Sequence, residues 1–250
     1  MRRPRAVVVA GPGTNRDRDT CAALMRAGAD PEIVLASELV AEPWRLDATC
    51  LVVVAGGFSY GDALGAGRML ALDLAGETSD GAAGDSKVAA ALRAFVDSGR
   101  PVLGVCNGFQ VLTRAGLLPG SLGHNQSGRF DCRWVALAPE AGSNCVWLDG
   151  DDAPIECPIA HGEGRYVHPD PDALSAAGQV ALRYAGPNPN GSVADVAGVS
   201  DPSGVVLGLM PHPENHMTLR QHPAHRREGG APAQLGLRIF EAGVEHARQL

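Results

Sequence analysis

Gly104-Val105-Cys106-Asn107-Gly108-Phe109-Gln110 follows the apolar run Pro101-Val102-Leu103 and precedes Val111-Leu112-Thr113-Arg114-Ala115-Gly116. The first run reads as a buried strand, and the second has the apolar spacing and terminal glycine of a helix. A Gly-x-Cys-x-Gly at a strand-to-helix junction reads as a nucleophile elbow. Small residues two before and two after the thiol let the backbone turn sharply and leave the sulfur protruding. Unpaired amides in the first turn of the helix point at that sulfur and favour thiolate over thiol. The plain alternative is a buried structural cysteine, the commonest fate of this residue.

The same alternation extends outward. Ala6-Val7-Val8-Val9-Ala10 reads as a first strand ending in Gly11-Pro12-Gly13-Thr14-Asn15, with helical signals from about Asp17 to Ala27 closed by Gly28. Glu32 to Leu35 and Cys50 to Ala55 are the next strands, and Val102 to Val105 the fourth. The glycine-rich loop Gly56-Gly57-Phe58-Ser59-Tyr60-Gly61-Asp62 follows the third strand and leads into a helical stretch to about Leu74. Strands alternating with helices predict right-handed βαβ units, hence a doubly wound, mostly parallel α/β sheet flanked by helices. After Pro119-Gly120 the texture changes. Phe130 to Leu137, Cys145 to Leu148, Val180 to Tyr184 and Val205 to Met210 are short apolar runs separated by turn signals such as Asn190-Gly191. They predict added strands, some antiparallel. Ala233 to Gln249 has helical spacing. Gly76 to Asp85 reads as a flexible surface insertion and Arg220 to Gly230 as a mobile basic loop.

At 250 residues with 45% hydrophobic content, the chain suits one α/β domain spanning residues 1–250. Aromatics are only 4% of it, so Val, Leu, Ala and Ile must build the core. A formal charge of −7 argues against a nucleic-acid partner gripped by a broad basic surface. The six cysteines are scattered without a Cys-x-x-Cys, which predicts reduced thiols. The apolar run after the basic start is too short for a signal peptide or a membrane span. The expectation is a soluble, cytoplasmic protein with no membrane association.

Sites in an open α/β sheet sit at the carboxyl ends of strands, where Gly11-Pro12-Gly13, Gly56-Gly57 and the elbow all fall. A thiolate attacking a carbonyl needs amide donors for the oxyanion. The N–H of Asn107 is one candidate and a glycine amide of the Gly56-Gly57 loop the other. A cysteine nucleophile also needs an oriented histidine. Two His-x-Glu pairs compete: His161-Gly162-Glu163, loosened by glycines, and His212-Pro213-Glu214, bracketed by Pro211 and Pro213. Extended chain before proline would set Glu214 on the same side as His212. The stiff pair suits catalysis and the loose one substrate or partner contact. His216, His222 and His225 complete no metal-binding spacing, so no metal is expected.

These blocks, with Pro12-Gly13-Thr14-Asn15, Asn125-Gln126-Ser127-Gly128-Arg129-Phe130, His161-Gly162-Glu163-Gly164-Arg165 and Pro211-His212-Pro213-Glu214, resemble class I, triad-type glutamine amidotransferases. Within that class they are similar to the glutaminase subunits of phosphoribosylformylglycinamidine synthases. The resemblance runs from Pro12 to Glu214. It implies Cys106 as nucleophile, His212 as acid/base and Glu214 as its orienter, with the amides of Gly57 and Asn107 as the oxyanion hole. It further implies that Gln110, Asn125 and Phe130 hold glutamine. His161, Glu163 and Arg165 would lie near an interface or ammonia exit. Two departures stand out: Ala55 where the family has proline, and Ala63-Leu64-Gly65 where many relatives have Tyr-Leu-Arg.

The activity so implied is hydrolysis of L-glutamine to glutamate and ammonia, a step serving purine biosynthesis. The chain has no phosphate-binding Gly-x-x-x-x-Gly-Lys-Ser/Thr loop. No cofactor is expected on it, therefore, and ATP and Mg belong to a separate synthetase that amidates formylglycinamide ribonucleotide. Whether a third small subunit joins is open at this level. The competing readings are a glutaminase serving another acceptor, a cysteine peptidase or deglycase, and a glutamine-sensing subunit without activity.

Overall fold

Leu51–Val54 and Val102–Val105 contain no polar side chain, a composition suited to strands covered on both faces. In the computed structural model, which describes residues 2–76, 86–148, 150–227 and 234–250, every residue of both runs is buried. Chain order is β1 (Arg5–Ala10), α1 (Asp17–Ala27), β2 (Asp30–Leu35), α2 (Ala36–Ala41), β3 (Leu51–Val54), α3 (Arg68–Ala75) and α4 (Lys87–Asp97). Then come β4 (Val102–Val105), α5 (Asn107–Arg114), β5 (Ser121–Gly123), β6 (Asp131–Pro139), β7 (Ile155–His161) and β8 (Arg165–Val167). The chain ends with α6 (Pro171–Ala176), β9 (Val180–Ala185), β10 (Val196–Ser200), β11 (Val206–Leu209) and α7 (Leu237–Arg248).

Nine strands form one sheet in the order β2-β1-β3-β4-β11-β10-β9-β6-β7. The first five are parallel, and the remaining neighbours are antiparallel. The mostly parallel α/β sheet with added antiparallel strands is therefore as the sequence predicts. β11 joins the halves. It lies parallel to β4 with Leu209 opposite Val105, and the Cys106 N–H donates to the Leu209 carbonyl at 2.8 Å. Both strands end at the same sheet margin, and Cys106 and His212 come together there across about a hundred residues of chain.

Three expectations need correction. Cys145 to Leu148 forms no strand. It is a turn-built plug whose Trp147 is fully buried and donates its indole N–H to the Val205 carbonyl at 3.0 Å. A four-residue apolar run fits a buried plug as well as a strand. The stretch after Gly56-Gly57 is first a short 3-10 turn, Ser59–Asp62, and only later the helix α3. Tyr60, Asp62 and Leu64 there have positive φ, which no helix accommodates. The basic loop is anchored: the His222 ring is buried edge-on against Trp134, with its Nε2 2.7 Å from Glu156 Oε2. The Gly76 to Asp85 insertion beyond Gly76, the end of the Arg220 to Gly230 loop beyond 227, and Ala233 of the predicted last helix lie outside the described residues.

The C-terminal helix α7 closes the back of the molecule. A Cβ on its Gly243 would fall 2.2 Å from the Trp147 ring, so glycine lets the indole seat against the helix backbone. The Arg248 guanidinium donates to the Ala27 and Gly28 carbonyls at the end of α1. Trp147→Ala should lower stability by about 3–5 kcal/mol, as large-to-small core truncations do. The check is the urea midpoint followed by circular dichroism.

Candidate active site

Cys106 has φ 50° and ψ −104°, a region that non-glycine residues rarely occupy. Holding it there costs on the order of 1–3 kcal/mol, and the packing on either side enforces it. A Cβ on Gly108 would lie 2.0 Å from the Val54 carbonyl oxygen, and one on Gly104 would lie 2.7 Å from the Gly108 backbone. The elbow helix α5 thus seats directly on β3 and β4 because both glycines are bare. Cys106 is buried, and its Sγ is 3.9 Å from the Ala160 carbonyl.

His212 arrives from β11 and is fixed by its backbone N–H, which donates to the Pro158 carbonyl at 2.8 Å. Its Nδ1 is 2.7 Å from Glu214 Oε1, and Glu214 is fully buried. With Nδ1 directed at the carboxylate, Nε2 is left for the sulfur, and the imidazole lies near enough to Cys106 to be influenced by it. Glu214 does stand beside His212, but not through extended chain. Pro213–Asn215 form a 3-10 turn, for which the fixed φ of Pro213 is suited, and the turn swings the carboxylate back to the ring. Burial alone would push the His212 imidazolium down. The Glu214 charge, the Cys106 sulfur and the hydrogen bond to Glu214 reverse that and raise it to about 10. A protonated imidazole is thereby maintained beside the sulfur at neutral pH.

Gly57 has φ 144°, and a Cβ there would fall 2.7 Å from the Asn15 nitrogen. Among the described residues neither the Gly57 N–H nor the Asn107 N–H is taken by another protein group. The two candidate oxyanion donors are thus unspent. The Asn107 side chain fixes the loop to the helix: Oδ1 accepts from the Ser59 N–H at 3.3 Å, and Nδ2 donates to Gln110 Oε1 at 3.0 Å. Gln110 Nε2 in turn donates to the Glu163 carbonyl at 2.7 Å.

The remaining residues singled out from the sequence occupy different environments. Asn125 is buried and fully engaged. Its Nδ2 donates to the Arg129 and His161 carbonyls, and its Oδ1 lies 3.0 Å from His161 Nδ1 and accepts from the Gly164 N–H. That leaves it no free polar group for a ligand, so it acts as a brace. Phe130 is 54% exposed and pairs with Phe58 at 6.1 Å between ring centroids. His161 points into the protein, only 2% exposed. Glu163 Oε2 accepts from the Ala66 N–H at 3.2 Å, while Arg165 is exposed.

Sequence reasoning missed Tyr184 and Asn190. Tyr184 is buried near Cys106, and burial pushes its phenol well up. Asn190, which reads as a turn residue from its Asn-Gly, is buried and donates to the Gly164 carbonyl and to the Tyr184 hydroxyl. The Asn-Gly turn is real, but nothing local to it reveals that it folds inward. Among the described residues no group of three or more His, Cys, Asp or Glu could hold a metal, and no helix is long and apolar enough to cross a membrane.

Comparison with known proteins agrees with this geometry. Residues 3–247 match the model of the CobB/CobQ-like glutamine amidotransferase domain. The chain is 40% identical to the phosphoribosylformylglycinamidine synthase subunit PurQ of Treponema denticola, covering 98% of this chain and 99% of that protein. It is 37% identical to the PurQ subunit of Dehalococcoides mccartyi over the whole of both. A chain in the solved structure of PurLQS from Thermotoga maritima superposes with a TM-score of 0.77 at 35% identity, covering 97% of this chain and 98% of that one. With a family match spanning nearly every residue and relatives alike from end to end, the chain belongs to the glutamine amidotransferase family that contains the PurQ subunits of phosphoribosylformylglycinamidine synthase.

Proposed function

We propose that this chain is the glutaminase subunit of a phosphoribosylformylglycinamidine synthase, with Cys106, His212 and Glu214 as its triad. The observation that carries the reading is the convergence of Cys106, at a strained elbow, with the His212 imidazole, whose Nδ1 is 2.7 Å from Glu214 Oε1. The Cys106 thiolate attacks the side-chain carboxamide of L-glutamine, and the N–H groups of Gly57 and Asn107 receive the oxyanion. The C–N bond breaks as the His212 Nε2 proton passes to the departing nitrogen, so ammonia leaves and a γ-glutamyl thioester remains on Cys106. Neutral His212 then takes a proton from water, and the hydroxide so generated releases glutamate and the thiolate.

Ammonia becomes ammonium at neutral pH and loses its nucleophilicity, so it has to be handed on directly. The names of the relatives support an ATP-dependent synthetase as the recipient, one that makes formylglycinamidine ribonucleotide and carries the ATP and Mg. The PurLQS match supports an assembly of more than these two subunits, with a third small one. This chain then needs no cofactor of its own, works as a single 1–250 unit, and operates in the cytoplasm, where purine biosynthesis takes place. The Gly57 and Asn107 amides, with Gln110 bracing Asn107, define the substrate end of the site, and Phe130 lies on its open side.

Glutamate release from glutamine, measured with and without the synthetase, tests the reading directly. Cys106→Ala should abolish it, and a glutamine-shaped electrophile should label Cys106 and no other cysteine; labelling elsewhere would count against the assignment. Glu214→Gln should lower kcat by about 10²–10⁴-fold, the scale seen when an orienting carboxylate is neutralised. It removes the foremost influence holding the His212 proton up near 10. The alkaline limb of kcat/KM, which reports free-enzyme groups, should therefore move to lower pH.

A further inference from the structure

One buried polar atom beside the triad has no use in the scheme above. His161, at the end of β7, is 2% exposed, and among the described residues its Nε2 has no hydrogen-bond partner. The neighbouring chain reaches the sulfur: the Ala160 carbonyl is 3.9 Å from Cys106 Sγ, and His161 lies within the electrostatic reach of His212. A buried acceptor left unmatched costs about 1–3 kcal/mol, and such exceptions in a native fold call for a function.

The protonation pattern of that ring follows from its neighbours. Asn125 Nδ2 donates to two carbonyls, Arg129 at 2.9 Å and His161 at 2.8 Å, so the amide has only one sensible orientation. Its Oδ1 must then face His161 Nδ1, 3.0 Å away, and an amide oxygen can only accept. Nδ1 therefore carries the hydrogen, and in the neutral ring Nε2 is a bare lone pair. Burial, then the nearby His212, pushes the imidazolium down to about 4, so the ring stays neutral at working pH. Nor can it swing away. A Cβ on Gly164 would sit 2.3 Å from its Nδ1 and Cε1, so the ring is clamped against the bare glycine backbone.

A rigid imidazole that accepts at Nε2 and has no proton there to give suits an N–H donor that must not be protonated further. We propose that His161 Nε2 accepts an N–H hydrogen bond from the nitrogen expelled from glutamine, making the ring the first resting point of neutral ammonia beyond Cys106. The inference rests on the amidotransferase reading. Its proton balance is simple: His212 supplies the proton that completes ammonia as the C–N bond breaks, and His161 receives a hydrogen bond with no proton transferred. The partnerless nitrogen and the two oppositely tuned histidines then serve one purpose, the first proton being delivered and the second withheld.

The test uses the complex with the synthetase at saturating glutamine, measuring glutamate formed, amidated product formed per glutamate, and turnover driven by ammonium salt. His161→Asn keeps a donor for Asn125 Oδ1 but lacks the Nε2 acceptor, whereas His161→Gln returns an acceptor oxygen near the Nε2 position. Amidated product per glutamate should fall about two- to ten-fold in His161→Asn, the worth of one neutral hydrogen bond. Ammonium-driven turnover should be unchanged, and His161→Gln should recover most of the loss. An unaltered ratio in His161→Asn overturns the proposal. So does a higher KM for glutamine at an unaltered ratio, which would give the acceptor to the substrate's α-ammonium instead. Should His161→Asn fail to fold by circular dichroism, His161→Phe fills the pocket without an acceptor and faces the same two outcomes. A wild-type complex that releases no glutamate would instead refute the underlying reading.

Discussion

The pairing of β4 with β11 is the constraint on which the site depends. Glycines on both strands let α5 seat on that pair: Gly104 admits the helix backbone, and a Cβ on Gly208 would fall 2.1 Å from the Phe109 ring. The bond from the Cys106 N–H to the Leu209 carbonyl closes the ladder at the point where the backbone turns into α5. That single register brings Cys106 from one half of the sequence to His212 from the other. A shift of one residue would move Cys106 along the seam and face its neighbours the wrong way.

Two histidines in the same interior are tuned in opposite directions by different company. His212 has a buried carboxylate at hydrogen-bond distance and a sulfur beyond it, so the charged ring is favoured despite desolvation. His161 has a neutral amide at hydrogen-bond distance and His212 nearby, and the Asp131 carboxylate does not offset them, so desolvation prevails. Burial is common to both, and the sign of the partner decides the outcome. The braces Asn125, Asn190 and Gln110 contribute no charge. Their amides hold the rings and loops in the geometry that lets the charges act.

Much of this was legible in the sequence because its cause is local. Glycines flanking Cys106, an all-apolar strand before it and a helical period after it fix the elbow, and the structure has α5 beginning at Asn107. The prolines beside His212 likewise mark a constrained pair, although the constraint is a 3-10 turn rather than extended chain. What could not be read depends on distant partners. Trp147 becomes a plug because the Val205 carbonyl and bare Gly243 wait for it. His222 anchors a loop of basic appearance because Glu156 and Trp134 lie beneath it. Asn190 turns inward because the Gly164 carbonyl and Tyr184 need a donor. Apart from Tyr184, six residues before Asn190, these partners are distant in sequence, so no short window of residues signals the arrangement.

The position of β11 in the chain has a consequence for synthesis. A ribosome delivers β1 to β4 and α5 while the strand that must flank β4 is still unmade, so the nascent sheet carries an open, wholly apolar margin while about a hundred further residues are made. Closure waits for β11 and for α7, whose Arg248 ties the last turn of the chain back to the first helix. The Cys106 thiol is thus left without the His212 imidazole until almost the whole polypeptide has emerged, and premature termination yields fragments in which the two never meet.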